Sequence, residues 1–118
     1  MDFDLAPEEE AFRDEVRAFL AEHNPPRGQR DPAAIVKWWK AVREKRYVGF
    51  AWPEECGGGG GTLMQQFILK EEMQKAEAPM IGKDYTGLGW VGPAIIQFGT
   101  QEQKERYLPD ILDGKSAW

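Results

Sequence analysis

Four features of this sequence carry residue types that could do chemistry. Glu71 and Glu72 are paired carboxylates, Cys56 is a thiol beside the five-glycine run Gly57–Gly61, and His23 is the single imidazole. Paired carboxylates can divide acid and base roles, a thiolate can attack an electrophile, glycine-rich loops can cradle phosphate, and imidazole can shuttle protons. Each role demands a geometry. Adjacent helical residues point about 100° apart, so Glu71 and Glu72 cannot converge on one substrate and are expected on a solvated or ion-paired face. Cys56 stands alone, which leaves no intrachain disulfide and no cysteine-built metal site, and it reads as a small loop residue. His23 lies near a helix C-terminus, where the backbone dipole favours positive charge. The glycines are followed by Thr62-Leu63, without the Lys-Ser/Thr of a phosphate loop or Rossmann spacing, and read as a permissive bend entering a helix. No catalytic residue, cofactor ligand or metal ligand is assigned from these four features.

The elements that would position such groups are helical. Pro7, followed by Glu8, Glu9 and Glu10, suits a helix start, and Phe12, Val16, Phe19 and Leu20 recur on one face until Asn24-Pro25-Pro26 ends the pattern near Glu22. Asp31-Pro32 caps a second helix, expected to reach Arg46, with Ile35, Trp38, Trp39 and Val42 along one side as core. Residues 47–53 are apolar but too short for a helix, and Pro53 holds Trp52 extended. Thr62 and Gln65 form a capping box for a third helix, with Met64, Phe67, Ile68 and Met73 as the expected buried stripe to about Ala76. A loop from Met80 to Gly89 precedes a fourth helix, Leu88 to Phe98, expected to kink at Pro93 and to end on Gly99 as a left-handed cap. Thr100 and Gln103 repeat the capping box, and the fifth helix carries Tyr107, Leu108, Ile111 and Leu112, broken or kinked at Pro109 and stopped by Gly114. The predicted fold class is all-α, an up-and-down bundle of about five helices.

At 118 residues the chain has room for one domain, and no apolar run approaches the roughly 20 residues of a membrane span. The acidic start, Met1-Asp2-Phe3-Asp4-Leu5, lacks the pattern of a secretory signal, which predicts a cytoplasmic protein without a membrane. The net charge is −5, and basic residues alternate with acids, as in Arg43-Glu44-Lys45-Arg46, leaving no basic stripe for nucleic acid.

Three stretches in fixed order go further. They are Phe50-Ala51-Trp52-Pro53-Glu54-Glu55-Cys56-Gly57-Gly58, then residues 92–104 from Gly92-Pro93-Ala94 to Gln103-Lys104, then Arg106-Tyr107-Leu108-Pro109-Asp110-Ile111-Leu112-Asp113-Gly114. Together with the opening Asp2-Phe3-Asp4-Leu5-Ala6-Pro7-Glu8-Glu9, they resemble the acyl-CoA dehydrogenase family over essentially the whole chain. The resemblance implies an enzyme of three domains: residues 1–114 as the amino-terminal helical domain, residues 115–118 as the start of a middle β-domain, and a carboxy-terminal helical bundle. It implies FAD as cofactor, acyl-CoA as substrate, an electron-transfer flavoprotein-type acceptor, and a homo- or hetero-oligomer of dehydrogenase subunits. In such enzymes a carboxy-terminal glutamate removes the α proton and the β hydrogen leaves as hydride to the flavin. The flavin-wrapping segment would begin a few residues after Trp118, so the 118-residue chain alone is expected to be inactive and to hold no flavin. The loop after the third helix and the start of the fourth line the acyl cavity in the family, which carries over here to Lys83, Tyr85, Thr86 and Trp90.

Two other readings share these helices: an acyl-CoA oxidase, acyl-carrier-protein dehydrogenase or related monooxygenase, and a stand-alone, non-catalytic helical interaction module. A domain made to pack on others should expose an apolar patch beyond the roughly 300–600 Å² common on monomers. The isolated chain is therefore expected to self-associate or bind a hydrophobic dye. A clean monomer without dye binding, in sedimentation and fluorescence assays, supports the stand-alone module instead.

Overall fold

Proline residues and side-chain caps set where the helices of this chain begin. The computed structural model describes residues 5–81 and 86–115. Among them lie five α-helices and no strand: α1 (Pro7–His23), α2 (Pro32–Glu44), α3 (Leu63–Lys75), α4 (Gly92–Phe98) and α5 (Gln101–Asp113). Short 3-10 turns lie at Arg27–Gln29 and Glu54–Cys56, and a wide π-helical turn at Gly87–Val91. The chain divides into two compact units, residues 1–38 with 61–79, and residues 39–60 with 80–118. No helix among the described residues is long and apolar enough to cross a membrane.

In the first unit α1 packs on α3. Pro7 opens α1 at a position where its missing N–H is harmless, and Glu9 Oε2 accepts from the Ala6 amide at 3.2 Å. The stripe Phe12, Val16, Phe19 and Leu20 is buried as its spacing predicts. Trp38 is buried with it, its ring tilted against Phe19 at 5.7 Å, and so acts as core. Thr62 and Gln65 cap α3 reciprocally, at 3.1 and 3.0 Å.

The buried face of α3 differs from the expected one. Ile68, Leu69, Glu72 and Met73 are buried, whereas Met64 and Phe67 are exposed and Leu63 is 84% exposed. Apolar spacing alone permits either stripe. The stripe containing Glu72 is the one that meets the cations of α1: Arg17 Nε donates to Glu72 Oε1 at 2.6 Å and Arg13 Nη1 to Glu72 Oε2 at 3.0 Å. Arg13 also donates to Glu71 at 2.9 Å, and Lys75 to Glu71 at 3.1 Å. Glu71 and Glu72 are thus an ion-paired face, as expected, but Glu72 is within the core rather than solvated.

In the second unit, α2 stops at Glu44, two residues short of the expected Arg46. Arg46 has φ +64°, and the Tyr47 amide donates back to Val42 O at 2.9 Å. A left-handed residue ends the helix here without glycine. The Arg46 guanidinium spans to Glu54 O and Gly58 O at 3.4 and 3.3 Å, which ties this turn to the glycine bend. Tyr47, Val48 and Trp52 are buried, and the bend folds back on them, Gly60 N–H donating to Trp52 O at 2.8 Å. Thr100 and Gln103 cap α5 at 3.1 and 2.9 Å. Pro109 lies inside α5 without dividing it, where Leu108, Ile111 and Leu112 anchor the segment in the core. Gly114, at φ +69°, closes it as predicted, with Lys115 N–H donating to Asp110 O at 2.9 Å. Gly99 is not the left-handed cap expected: its backbone is extended, φ −77° and ψ 158°. Glycine suits it for another reason, since a Cβ would lie 2.5 Å from Ile95 O.

Replacing Glu72 by alanine removes the carboxylate that Arg17 and Arg13 share, leaving Arg13 only Glu71, and a loss of stability is expected in denaturant titration. For Glu71, the hydrogen bond from Arg13, then that from Lys75, holds the carboxyl below its usual range. A depressed folded pKa gives stability that is present at neutral pH and lost as pH falls through that pKa. The stability gap between the native chain and Glu71→Gln should accordingly close on acidification below the usual glutamate range, and a gap independent of pH would contradict the pairing.

Candidate functional site

Of the segment carrying the expected cavity residues, the described part begins at Thr86. Lys83 and Tyr85 lie outside the described residues. A single helix from Leu88 kinked at Pro93 was the expectation. Instead the wide turn Gly87–Val91 runs into α4, with Pro93 in the first turn of α4. The Gly92 amide donates to Gly87 O, five residues back, so the backbone is one residue wider than an α-helix just before the proline. Widening accommodates a residue that has no N–H and would clash with the carbonyl four residues earlier.

Trp52 holds this turn. Its indole Nε1 donates to Leu88 O at 3.3 Å, and its ring lies so close to Gly92 that a Cβ there would be 2.1 Å from Trp52 Cζ2. Gly92 is therefore required for close packing, beyond easing a bend. Sequence patterns registered Trp52 only as an extended residue before proline. The one available signal was the coincidence of a tryptophan with a Gly-Pro pair.

Beyond the turn, Thr86, Trp90, Val91, Ala94, Ile95, Phe98 and Gln103 line an open groove of about 450 Å³. Trp90 is 78% exposed and Phe98 80% exposed, so two large aromatic side chains stand in solvent on one apolar strip. Of the four expected cavity residues, the structure brings Thr86 and Trp90 together here. The spacing of Trp90, Ala94 and Phe98, four residues apart each time, was the legible sign of the strip. Among the described residues that line the groove there is no carboxylate, imidazole or thiol, and what they can do is receive an apolar group.

The other candidates form no reactive constellation. Cys56 is half-buried at a separate hollow of about 530 Å³ with Arg43, Lys104, Glu105 and Leu112, and no hydrogen bond among the described residues joins its thiol to a base. His23 packs on Phe19 at 4.7 Å between ring centres at the end of α1. No group of three or more His, Cys, Asp or Glu side chains among the described residues could hold a metal ion.

An all-helical chain with capped helices, a glycine bend packed on Trp52, and an apolar groove beside a Gly-Pro turn belongs to a recognisable class. Residues 6–115 match the family described as acyl-CoA dehydrogenase, N-terminal domain, and the chain belongs to that family. It is 30% identical to the acyl-CoA dehydrogenase IpdE1 of Mycolicibacterium smegmatis, over 94% of this chain and 31% of that protein. It is equally 30% identical to an acryloyl-CoA reductase (NADH) of Anaerotignum propionicum, over 97% of this chain and 29% of that one. Among solved structures, a chain of the ChsE4–ChsE5 complex from Mycobacterium tuberculosis superposes with a TM-score of 0.76 at 28% identity, over 97% of this chain and 30% of that chain. The Tcur3481–Tcur3483 steroid ACAD gives 0.66 at 31% identity, over 97% and 31%. The chain thus spans about 30% of the length of each of these relatives.

The glycine bend does not fit the pyrophosphate of the flavin that the resemblance implies. A dinucleotide needs backbone amides or cations free to meet its pyrophosphate. The glycine bend offers no such donors at four of its positions: the amides of Gly57, Gly58, Gly59 and Gly60 already donate to Glu54 O, Pro53 O, Gly49 O and Trp52 O. The groove, for its part, is apolar apart from Thr86 and Gln103.

Gly92→Ala tests the packing that supports the groove. Overfilling this contact is expected to cost about 2–3 kcal/mol. Thermal unfolding against Gly89→Ala, where a Cβ meets nothing within 4 Å, is the control.

Proposed function

We propose that this chain is the amino-terminal helical domain of an FAD-dependent acyl-CoA dehydrogenase, in which it supplies part of the wall that receives the acyl group. The observation that carries this reading is the apolar groove with Trp90 and Phe98 exposed beside the wide turn, in a chain of this family. Thr86 and Trp90, together with Lys83 and Tyr85, are the proposed cavity residues. Flavin binding and the glutamate that removes the α proton are assigned to segments outside residues 1–114, with residues 115–118 leading into a β-domain. The hydride acceptor is the flavin, reoxidised by an electron-transfer flavoprotein-type protein, and the enzyme is cytoplasmic and assembles from like or unlike dehydrogenase subunits. Two features of the relatives bear on this. Solved structures described as a ChsE4–ChsE5 complex and as a Tcur3481–Tcur3483 steroid ACAD support pairing of subunits and a bulky acyl group. A relative named as an acryloyl-CoA reductase supports treating the direction of redox chemistry as a property of the remaining domains.

The protein purified from its natural source, with whatever subunits accompany it, is the material for the test. Anaerobic addition of acyl-CoA thioesters should bleach its flavin absorbance and yield the enoyl-CoA, while the 118-residue chain alone should do neither. A natural product of 13.4 kDa that carries no flavin and binds no acyl-CoA would overturn the proposal in favour of an interaction module.

A further inference from the structure

Backbone hydrogen bonding at the wide turn leaves one acceptor without a main-chain donor in its own register. Gly87 O receives the amide of Gly92, five residues on. The next carbonyl in that register is Leu88 O, whose donor would be the amide of residue 93. Residue 93 is proline and has no N–H. A part-buried carbonyl lacking a donor is costly, so a replacement is required. Trp52 Nε1 supplies it at 3.3 Å. The indole reaches this position only because residue 92 is glycine, where any Cβ would stand 2.1 Å from Trp52 Cζ2. Three residues therefore fit one another. Pro93 withholds a donor, Gly92 leaves the space, and Trp52 fills both.

From this geometry we infer that Trp52 is a positioning residue for the groove between residues 86 and 103. Its indole N–H stands in for the amide that Pro93 lacks and holds the turn in the wide register. One extra residue in a helical turn rotates what precedes it by about 100° relative to an uninterrupted α-helix. The register therefore decides where Thr86 and Trp90 stand, and with them the shape offered to an apolar group. Only this last consequence rests on the acyl-cavity reading; the hydrogen bond and the register stand without it.

The test uses the protein as it is naturally made, with whatever domains and subunits accompany residues 1–118, isotopically labelled, as native protein, Trp52→Phe, Pro93→Ala and the double variant, observed by NMR. In the native chain a coupling through the hydrogen bond is expected between Trp52 Nε1 and the Leu88 carbonyl carbon. The Trp52 indole proton should exchange with solvent at least tenfold more slowly than that of exposed Trp90, since one lost buried hydrogen bond is worth roughly a factor of ten. These two readouts need no substitution and survive a variant that fails to fold. Trp52→Phe should speed exchange of the Val91 and Gly92 amides roughly tenfold and shift the Trp90 indole signal. Adding Pro93→Ala restores a backbone donor beneath Leu88 O, and both effects should largely reverse. A Trp52 indole that exchanges as fast as that of Trp90, or a double variant no better protected than Trp52→Phe, overturns the inference. A purely space-filling role for Trp52 predicts no rescue from position 93. None of these readouts involves acyl-CoA or flavin, so this inference and the proposed function fail independently.

Discussion

Trp52 is the contact on which the second unit depends, because it meets three kinds of backbone constraint at once. Its ring is buried, its carbonyl accepts from Gly60, and its indole N–H reaches Leu88 O. Each contact requires the absence of a side chain elsewhere. A Cβ at Gly58 would lie 2.4 Å from Trp52 Cβ, and one at Gly92 would lie 2.1 Å from the far edge of the ring. The glycine bend at Gly58 and the Gly-Pro turn at Gly92, 34 residues apart in the chain, are thus both shaped around a single indole. Close packing of this kind tolerates little change in volume, so the groove beside the turn takes its form from a residue that does not line it.

The first unit is organised by charge as much as by apolar area. A carboxylate with only 6% of its side chain exposed sits between two arginines of another helix, and each of its oxygens accepts a hydrogen bond. A buried carboxylate held by two arginines of a facing helix specifies which face of α3 turns to α1, since another face would leave Glu72 without those partners. Leu63 and Phe67 remain in solvent as a consequence. The charges that could have been mistaken for an acid–base pair therefore have a structural occupation. Glu71 shares it, bonded to Arg13 and Lys75.

Membership in the acyl-CoA dehydrogenase family gives these features a setting. The described residues offer an apolar surface, capped helices and an ion-paired helix interface, and no hydrogen bond among them joins the Cys56 thiol to a base. Oxidation of an acyl thioester needs a base and a hydride acceptor, and a redox cofactor carries such chemistry while protein domains supply orientation and enclosure.

Much of this was legible from local rules. The α1 stripe, the start of α2 at Asp31-Pro32, both capping boxes and the stop at Gly114 follow from propensities acting within a few residues, and the structure shows each of them. The order of short motifs was enough to indicate the family. Three things were settled only by tertiary contact. Of the expected stripe on α3, Ile68 and Met73 are buried and Met64 and Phe67 are not, because the face carrying Glu72 meets the arginines of α1, more than 50 residues away in the chain. Gly99 was legible as a helix end but not as an extended residue, because its constraint is the nearness of Ile95 O rather than a positive φ. The sequence determined that Pro93 would disturb its helix. That the disturbance takes the form of a wide turn sealed by Trp52 was decided by a side chain 36 residues from the carbonyl it satisfies, and no local pattern encodes such a distance.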